Sequence, residues 1–149
     1  MTDPRTRIKP PTWIKAMNEQ VLAEHGDSGS FSVLTVPGRR SGEPRSTPLT
    51  VHERAGYRYI VGGFPAADWI RNVRAAGAGV LTTGGHAEDV RIVEASAAES
   101  EAVLRDWPTA TPQGVEMMRD AGVVADVTPD ALAEVTGICP VFRLDPPAG

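Results

Sequence analysis

The chain has 149 residues, 15 Lys and Arg against 19 Asp and Glu, and a formal net charge of -4. That length suits one domain with a real core, and 41% apolar with 23% charged residues excludes a disordered tail or a coiled coil as the main content. One cysteine, Cys139, excludes a disulfide framework and a multi-cysteine zinc site.

The opening MTDPRTRIKPP has no apolar run of signal-peptide length, and nothing later approaches the roughly 18 apolar residues of a membrane span. The expectation is a soluble, cytoplasmic protein. Its charge is two-sided: positions 1–91 carry 12 basic and 9 acidic side chains, positions 92–149 carry 3 and 10. An anionic small molecule is therefore sought in the first part, which holds 10 of the 13 arginines, whose planar guanidinium forks onto phosphate or carboxylate. The overall negative charge argues against nucleic acid.

In chain order, Trp13, Ile14, Met17, Val21 and Leu22 share one face of a predicted helix over 13–25, with Gly26 as its stop. Alternation over 31–36 predicts a strand that ends at Pro37-Gly38. A loop follows, and a second strand is expected from Arg45 to Arg54. Ala55-Gly56 turns the chain into a third strand, Tyr57 to Val61. Gly62-Gly63-Phe64-Pro65 breaks it, and residues 66–76 form a short helix with Trp69 and Val73 at the i, i+4 spacing.

A hairpin around Gly84-Gly85 joins strands at 80–83 and 90–94. Ser96 and Glu99 form a capping box for a helix that runs toward Trp107 and is closed by Pro108. A short helix near 115–121, another opened by Thr128-Pro129 and followed by Gly137, and a closing strand over 139–144 complete the chain. Five or six strands joined mostly by hairpins, without regular strand–helix alternation, predict an antiparallel sheet or small barrel in the α+β class and exclude a Rossmann fold.

Two segments carry candidate chemistry. In GRRSGEPRSTP, residues 38–48, Gly38 and Gly42 let backbone amides turn inward. Ser41, Ser46 and Thr47 add hydroxyls, and Arg39, Arg40 and Arg45 add charge-assisted forks. This is the composition of a phosphate or polycarboxylate cradle, although a solvated basic hairpin has the same residues; it lacks the Gly-Lys-Ser/Thr of a Walker loop. In GGFPAADWIRNVRA, residues 62–75, glycines after a strand let a flat ligand approach the backbone. Phe64 and Trp69 offer ring faces, and Asn72 offers a donor and an acceptor. A lone Trp at this spacing is more readily a core residue.

His25, His52 and His86 have no metal-ligand spacing, no GxSxG elbow is present, and Met117, Met118 and Cys139 read as packing residues. No metal is expected.

The ordered motifs G-R-R-S-G-x-P-R-x-x-P-L and W-x-x-N-V-R-A resemble the deazaflavin-dependent nitroreductase family, split β-barrel proteins related to flavin-binding oxidases, across about residues 31–94. The resemblance implies an antiparallel split β-barrel over 1–149, with an N-terminal, a mid-chain and late helices. It also implies coenzyme F420 as cofactor and hydride transfer to an apolar conjugated acceptor: a quinone, an enone or a nitroaromatic. Arg39, Arg40, Ser41 and Gly42 would hold the anionic tail. Arg45, Ser46, Thr47, Pro48, Leu49 and Thr50 would line the ring and phosphate path, and Gly62, Gly63, Phe64, Trp69 and Asn72 would complete the site.

Residues 92–149 contain no Tyr, whereas some members of that family place tyrosines there, so no catalytic side chain is assigned. Two alternatives stand beside this reading: a non-catalytic module that binds F420 or another anionic ligand, and an FMN-dependent split-barrel oxidoreductase. The expected partners are a small apolar electron acceptor, no nucleic acid, a weak membrane-surface contact through the first helix, and a monomer or homodimer.

Overall fold

The computed structural model describes residues 3–25 and 32–147. Among them are a short 3-10 turn at Pro4–Arg7, five α-helices and seven strands. In chain order these are α1 (Thr12–His25), β1 (Ser32–Pro37), β2 (Pro44–Leu49), β3 (His52–Arg54), β4 (Tyr57–Val61) and α2 (Asp68–Ala76). They are followed by β5 (Ala78–Thr83), β6 (His86–Glu94), α3 (Ala97–Ala110), α4 (Pro112–Asp120), α5 (Pro129–Ala133) and β7 (Val141–Asp145). Gly26, Phe31 and His25's side chain, with those of Val21 and Leu22, lie outside what is described.

All seven strands form one antiparallel sheet in the order β2-β1-β5-β6-β7-β4-β3. β2 and β3 occupy opposite ends of that order, yet two residues, Thr50 and Val51, join them. Three Cα steps span at most about 11 Å. The sheet must therefore curl until its edges nearly meet, giving a barrel that is split between β2 and β3.

The expected single strand over 45–54 is corrected accordingly. Its residues hold a continuous β-forming pattern, but barrel closure sends the two halves to different neighbours: Leu49 pairs with Ser32 of β1, and His52 with Tyr59 of β4. Pro44 and Pro48 are tolerated in β2 because an edge strand leaves one row of its donors outside the ladder.

Alternation along the strands separates two cores. Leu34, Val36, Ile60, Leu81, Val90, Ile92, Phe142 and Leu144 fill the barrel, and Ile70 and Val73 of α2 plug its end. The opposite faces of β4 and β7 present Tyr59, Val61 and Val141 to α3, α4 and α5, where Trp107, Val115, Met118 and Leu132 complete the second core. Tyr59 to Val61 of β4 and most of β7 are buried on both sides.

Local chemistry sets the boundaries. Gly84 and Gly85 both take positive φ, which tightens the turn and lengthens the β5–β6 hairpin beyond the expected strands. Gly77 caps α2 in the left-handed conformation. Ser96 and Glu99 form the expected capping box, and Thr128 caps α5. Pro108 does not close α3: the helix carries it internally and reaches Ala110, with the Thr111 amide bonded to the Trp107 carbonyl at 2.9 Å.

Candidate functional site

The 38–43 loop links β1 to β2 at the barrel end that α2 plugs. It closes largely on itself: the Gly38 amide donates to the Glu43 carbonyl at 2.8 Å, Gly42 to Gly38 at 2.9 Å, and Glu43 to Ser41 Oγ at 3.2 Å. Gly42 sits at φ +75°, where a Cβ would be strained. The amides of Gly38 and Gly42 themselves are thus used inside the loop.

Arg39 is also engaged within the protein. Its amide donates to Asn72 Oδ1 at 3.1 Å, its Nη1 to the same oxygen at 2.9 Å, and its Nη2 approaches Asp68 Oδ1 at 3.4 Å. Asn72 is buried, and Asp68 is mostly exposed. The two motifs that are separate in sequence are therefore joined in space, loop to helix, through Arg39.

What remains for a ligand is a compact set of donors. Arg40 is exposed and has no acidic partner among the described residues; Arg45 is exposed and only 4.0 Å from Glu43. The amides of Arg40 and Ser41 have no acceptor among the described residues, and the Ser41 hydroxyl still has its proton to donate. Two cations, a hydroxyl and two adjacent amides suit a phosphate or carboxylate.

Along β2, Ser46 Oγ and Thr35 Oγ1 share a hydrogen bond at 2.7 Å across the ladder. Thr47, Pro48 and Thr50 are half-buried, and Leu49 packs on the barrel core. The strand thus leads from the exposed cations toward the split, becoming less exposed as it goes.

The second motif is placed differently from its expectation. A Cβ on Gly62 would stand 2.6 Å from Ile70 Cδ1 and 2.9 Å from Pro140 Cγ, and one on Gly63 would stand 3.1 Å from Met118 Sδ. The missing side chains make room for α2 and α4 to pack, not for a flat ligand on that face. Phe64 is half-buried between the two cores. Trp69 packs edge-on to Phe142, with ring centroids 6.2 Å apart, and is half-buried on the barrel side.

Sequence reading passed over Asp68, although its place four residues before Asn72 puts both on one helical face. It also passed over two polar clusters on the outer face of the sheet. Tyr59 donates to Glu99, which is joined by Arg143, which in turn binds Asp145. Burial raises the Tyr59 hydroxyl above its ordinary value, and the hydrogen bond to Glu99 adds to the effect. The Ser96 amide, followed by the Tyr59 hydroxyl, holds the Glu99 carboxyl below its ordinary value. In the second cluster His52 and Arg54 of β3 converge on Asp106 of α3 at 3.0 and 2.6 Å.

A cavity of about 420 Å³ opens at the other end of the barrel, with Glu53, Arg58, His86 and Glu88 in its lining. Arg58 is paired with Glu88 there, and Glu53 adds a further negative charge, so this end does not suit an anion. Among the described residues no group of three or more His, Cys, Asp or Glu could hold a metal, and no helix is long and apolar enough to cross a membrane.

Sheet order, curl and helical cover define a split β-barrel. A domain-swapped dimer of known structure, 21% identical, aligns with a TM-score of 0.50 over 89% of this chain and 97% of its own. An F420-H2 dependent reductase, FDR-A, is 22% identical over 78% of this chain and 94% of its own, with a TM-score of 0.49. A FAD-binding protein from Mesorhizobium loti is 15% identical over 89% of each chain, with a TM-score of 0.47. No curated protein matches the chain. The family model described as F420H(2)-dependent quinone reductase matches residues 12–123. The chain belongs to that family and is an F420-dependent reductase.

The donor set fits the family's cofactor, whose far end is anionic. Arg40, Arg45, Ser41 and the two loop amides have the charge and hydrogen-bonding sense that such a tail needs.

Proposed function

We propose that the chain, as one domain, reduces a quinone-type conjugated acceptor, with the F420 tail on Arg40, Arg45 and Ser41 and the ring lying along β2 toward Thr50 and Trp69. The observation that carries this reading is a pair of exposed arginines, Arg40 without an acidic partner among the described residues and Arg45 only loosely paired with Glu43 at 4.0 Å, set beside two open amides at the head of an edge strand. When bound and reduced, F420 supplies a hydride. The chain's own part is to anchor and orient: Arg40 and Arg45 supply positive charge, Ser41 a hydroxyl, and Thr47 and Thr50 supply polar contacts along the strand. Arg39 and Gly42 shape the loop, and Gly62 and Gly63 let α2 and α4 close on the barrel beside Phe64.

The same reading takes the protein as a monomer or a homodimer, the second supported by the assembly of the domain-swapped neighbour; sedimentation velocity separates them. Purified protein mixed with reduced F420 and a soluble naphthoquinone, a cyclic enone or a nitroaromatic tests the acceptor. Faster oxidation of F420 with the quinone than with the other two supports the proposal. Saturable F420 binding without oxidation by any acceptor would make the protein a binding module, and preferential binding of FMN would make it a flavin enzyme; either result contradicts the reading.

A further inference from the structure

Asp68 and Asn72 stand about one turn apart on α2, and both reach the same residue of the facing loop. Asn72, 6% exposed, accepts two hydrogen bonds from Arg39, one from its backbone amide and one from its guanidinium. Asp68 meets the second guanidinium nitrogen. One side-chain oxygen that takes a backbone and a side-chain donor from one residue fixes that residue's place and its rotamer together. Arg39 is the first residue after Gly38, so whatever holds it sets the turn that presents Arg40 and Ser41.

From this geometry we infer that the Asp68–Asn72 pair is a positioning device for the anion-binding loop, and that Asn72 acts through Arg39 and not by touching the cofactor. A loop that is ordered before binding avoids the entropy loss of ordering on binding, so the pair raises affinity without contributing a contact of its own. Arg39, with Nη1 and Nη2 both engaged, serves the same function, leaving Arg40 and Arg45 as the cations for the tail. The inference rests on the proposed placement of the tail at this loop.

The test uses the full chain with Asn72→Leu, Asn72→Asp, Asp68→Asn and Arg39→Ala. It has two readouts: the Kd for oxidised F420 by tryptophan fluorescence, and hydrogen exchange of the Arg39 amide in cofactor-free protein. Asn72→Leu is expected to weaken binding about tenfold and speed exchange of that amide, the loss expected for hydrogen bonds to a charged group. Asn72→Asp keeps both acceptor bonds and stays within about threefold of wild type, whereas direct contact through the Asn72 amide nitrogen predicts as large a loss as with leucine. Combining Arg39→Ala with Asn72→Leu is expected to be no worse than the weaker single variant.

Wild-type affinity in Asn72→Leu, or equal losses in the aspartate and leucine variants, would overturn the inference. If the leucine variant does not fold, Asp68→Asn, at an exposed position, and Arg39→Ala decide: unchanged affinity in both overturns it. If wild-type protein binds no F420, the proposed function falls, and the exchange rate alone judges the device: an Arg39 amide no faster in Asn72→Leu would overturn it.

Discussion

A single oxygen, Asn72 Oδ1, accepts both the backbone amide and the Nη1 of Arg39, at 3.1 and 2.9 Å. It ties a loop between two strands to a helix 33 positions later, and it divides three neighbouring arginines by role. Arg39 is held; Arg40 and Arg45 are exposed and available to a ligand. Changing Arg40 and Arg45 to Ala is expected to weaken F420 binding more at 50 mM than at 500 mM salt, because the lost attraction is between exposed charges that roughly molar salt screens within about 3 Å. Kd values measured at low and high salt for wild type and the double variant check it.

The Gly62 position is a packing requirement. Gly62→Ala places a Cβ against Ile70 and Pro140 in a filled core and is expected to cost about 1–3 kcal/mol of stability. Gly63→Ala meets the flexible end of Met118 and is expected to cost less. Urea unfolding of the two variants checks the order.

Ala55 is a non-glycine residue at φ 53°, in the turn between β3 and β4. Ala55→Asn gives the Asn-Gly pair that this turn favours, with an expected gain of about 1 kcal/mol. The thermal midpoint is the readout, and a lower midpoint would contradict the account.

The sign of the acid response follows from Glu99. The Ser96 amide and then the Tyr59 hydroxyl hold its carboxyl below the ordinary 4.5, so its contribution to stability is full well above that value and is lost as pH falls through the lowered one. Glu99→Gln is expected to flatten the decline of the thermal midpoint between about pH 5 and pH 3. An unchanged slope would contradict this.

Burial pushes the Cys139 thiol up to about 12. The residue is fully buried in the helical core. A disulfide reagent at pH 8 is expected to leave native protein unlabelled and to label it on unfolding in denaturant.

Much of this was legible in local sequence. Gly84-Gly85, Ser96 with Glu99, and Thr128-Pro129 act within a few residues, and each produced the turn or cap expected of it. The break at Thr50-Val51 was not legible, because two β-branched residues continue a strand pattern and the break comes from barrel closure. Pro108 misled for a related reason: packing of Trp107 and Leu104 in the helical core carries α3 past a residue that locally disfavours it. The candidate site divides in the same way. The basic loop was visible by composition, but the partner of Arg39 lies on another element, and the packing role of Gly62 depends on Pro140, 78 positions away.

The most direct test of the account compares the Kd of oxidised F420 with that of a deazaflavin lacking the phosphate and glutamate tail, in wild type and in the Arg40→Ala, Arg45→Ala double variant. The account predicts that wild type binds the full cofactor at least about tenfold more tightly, as expected when two charge-assisted contacts are lost, and that the double variant removes most of that difference. Equal affinity for the two ligands in wild type, or a difference that survives in the double variant, would contradict it.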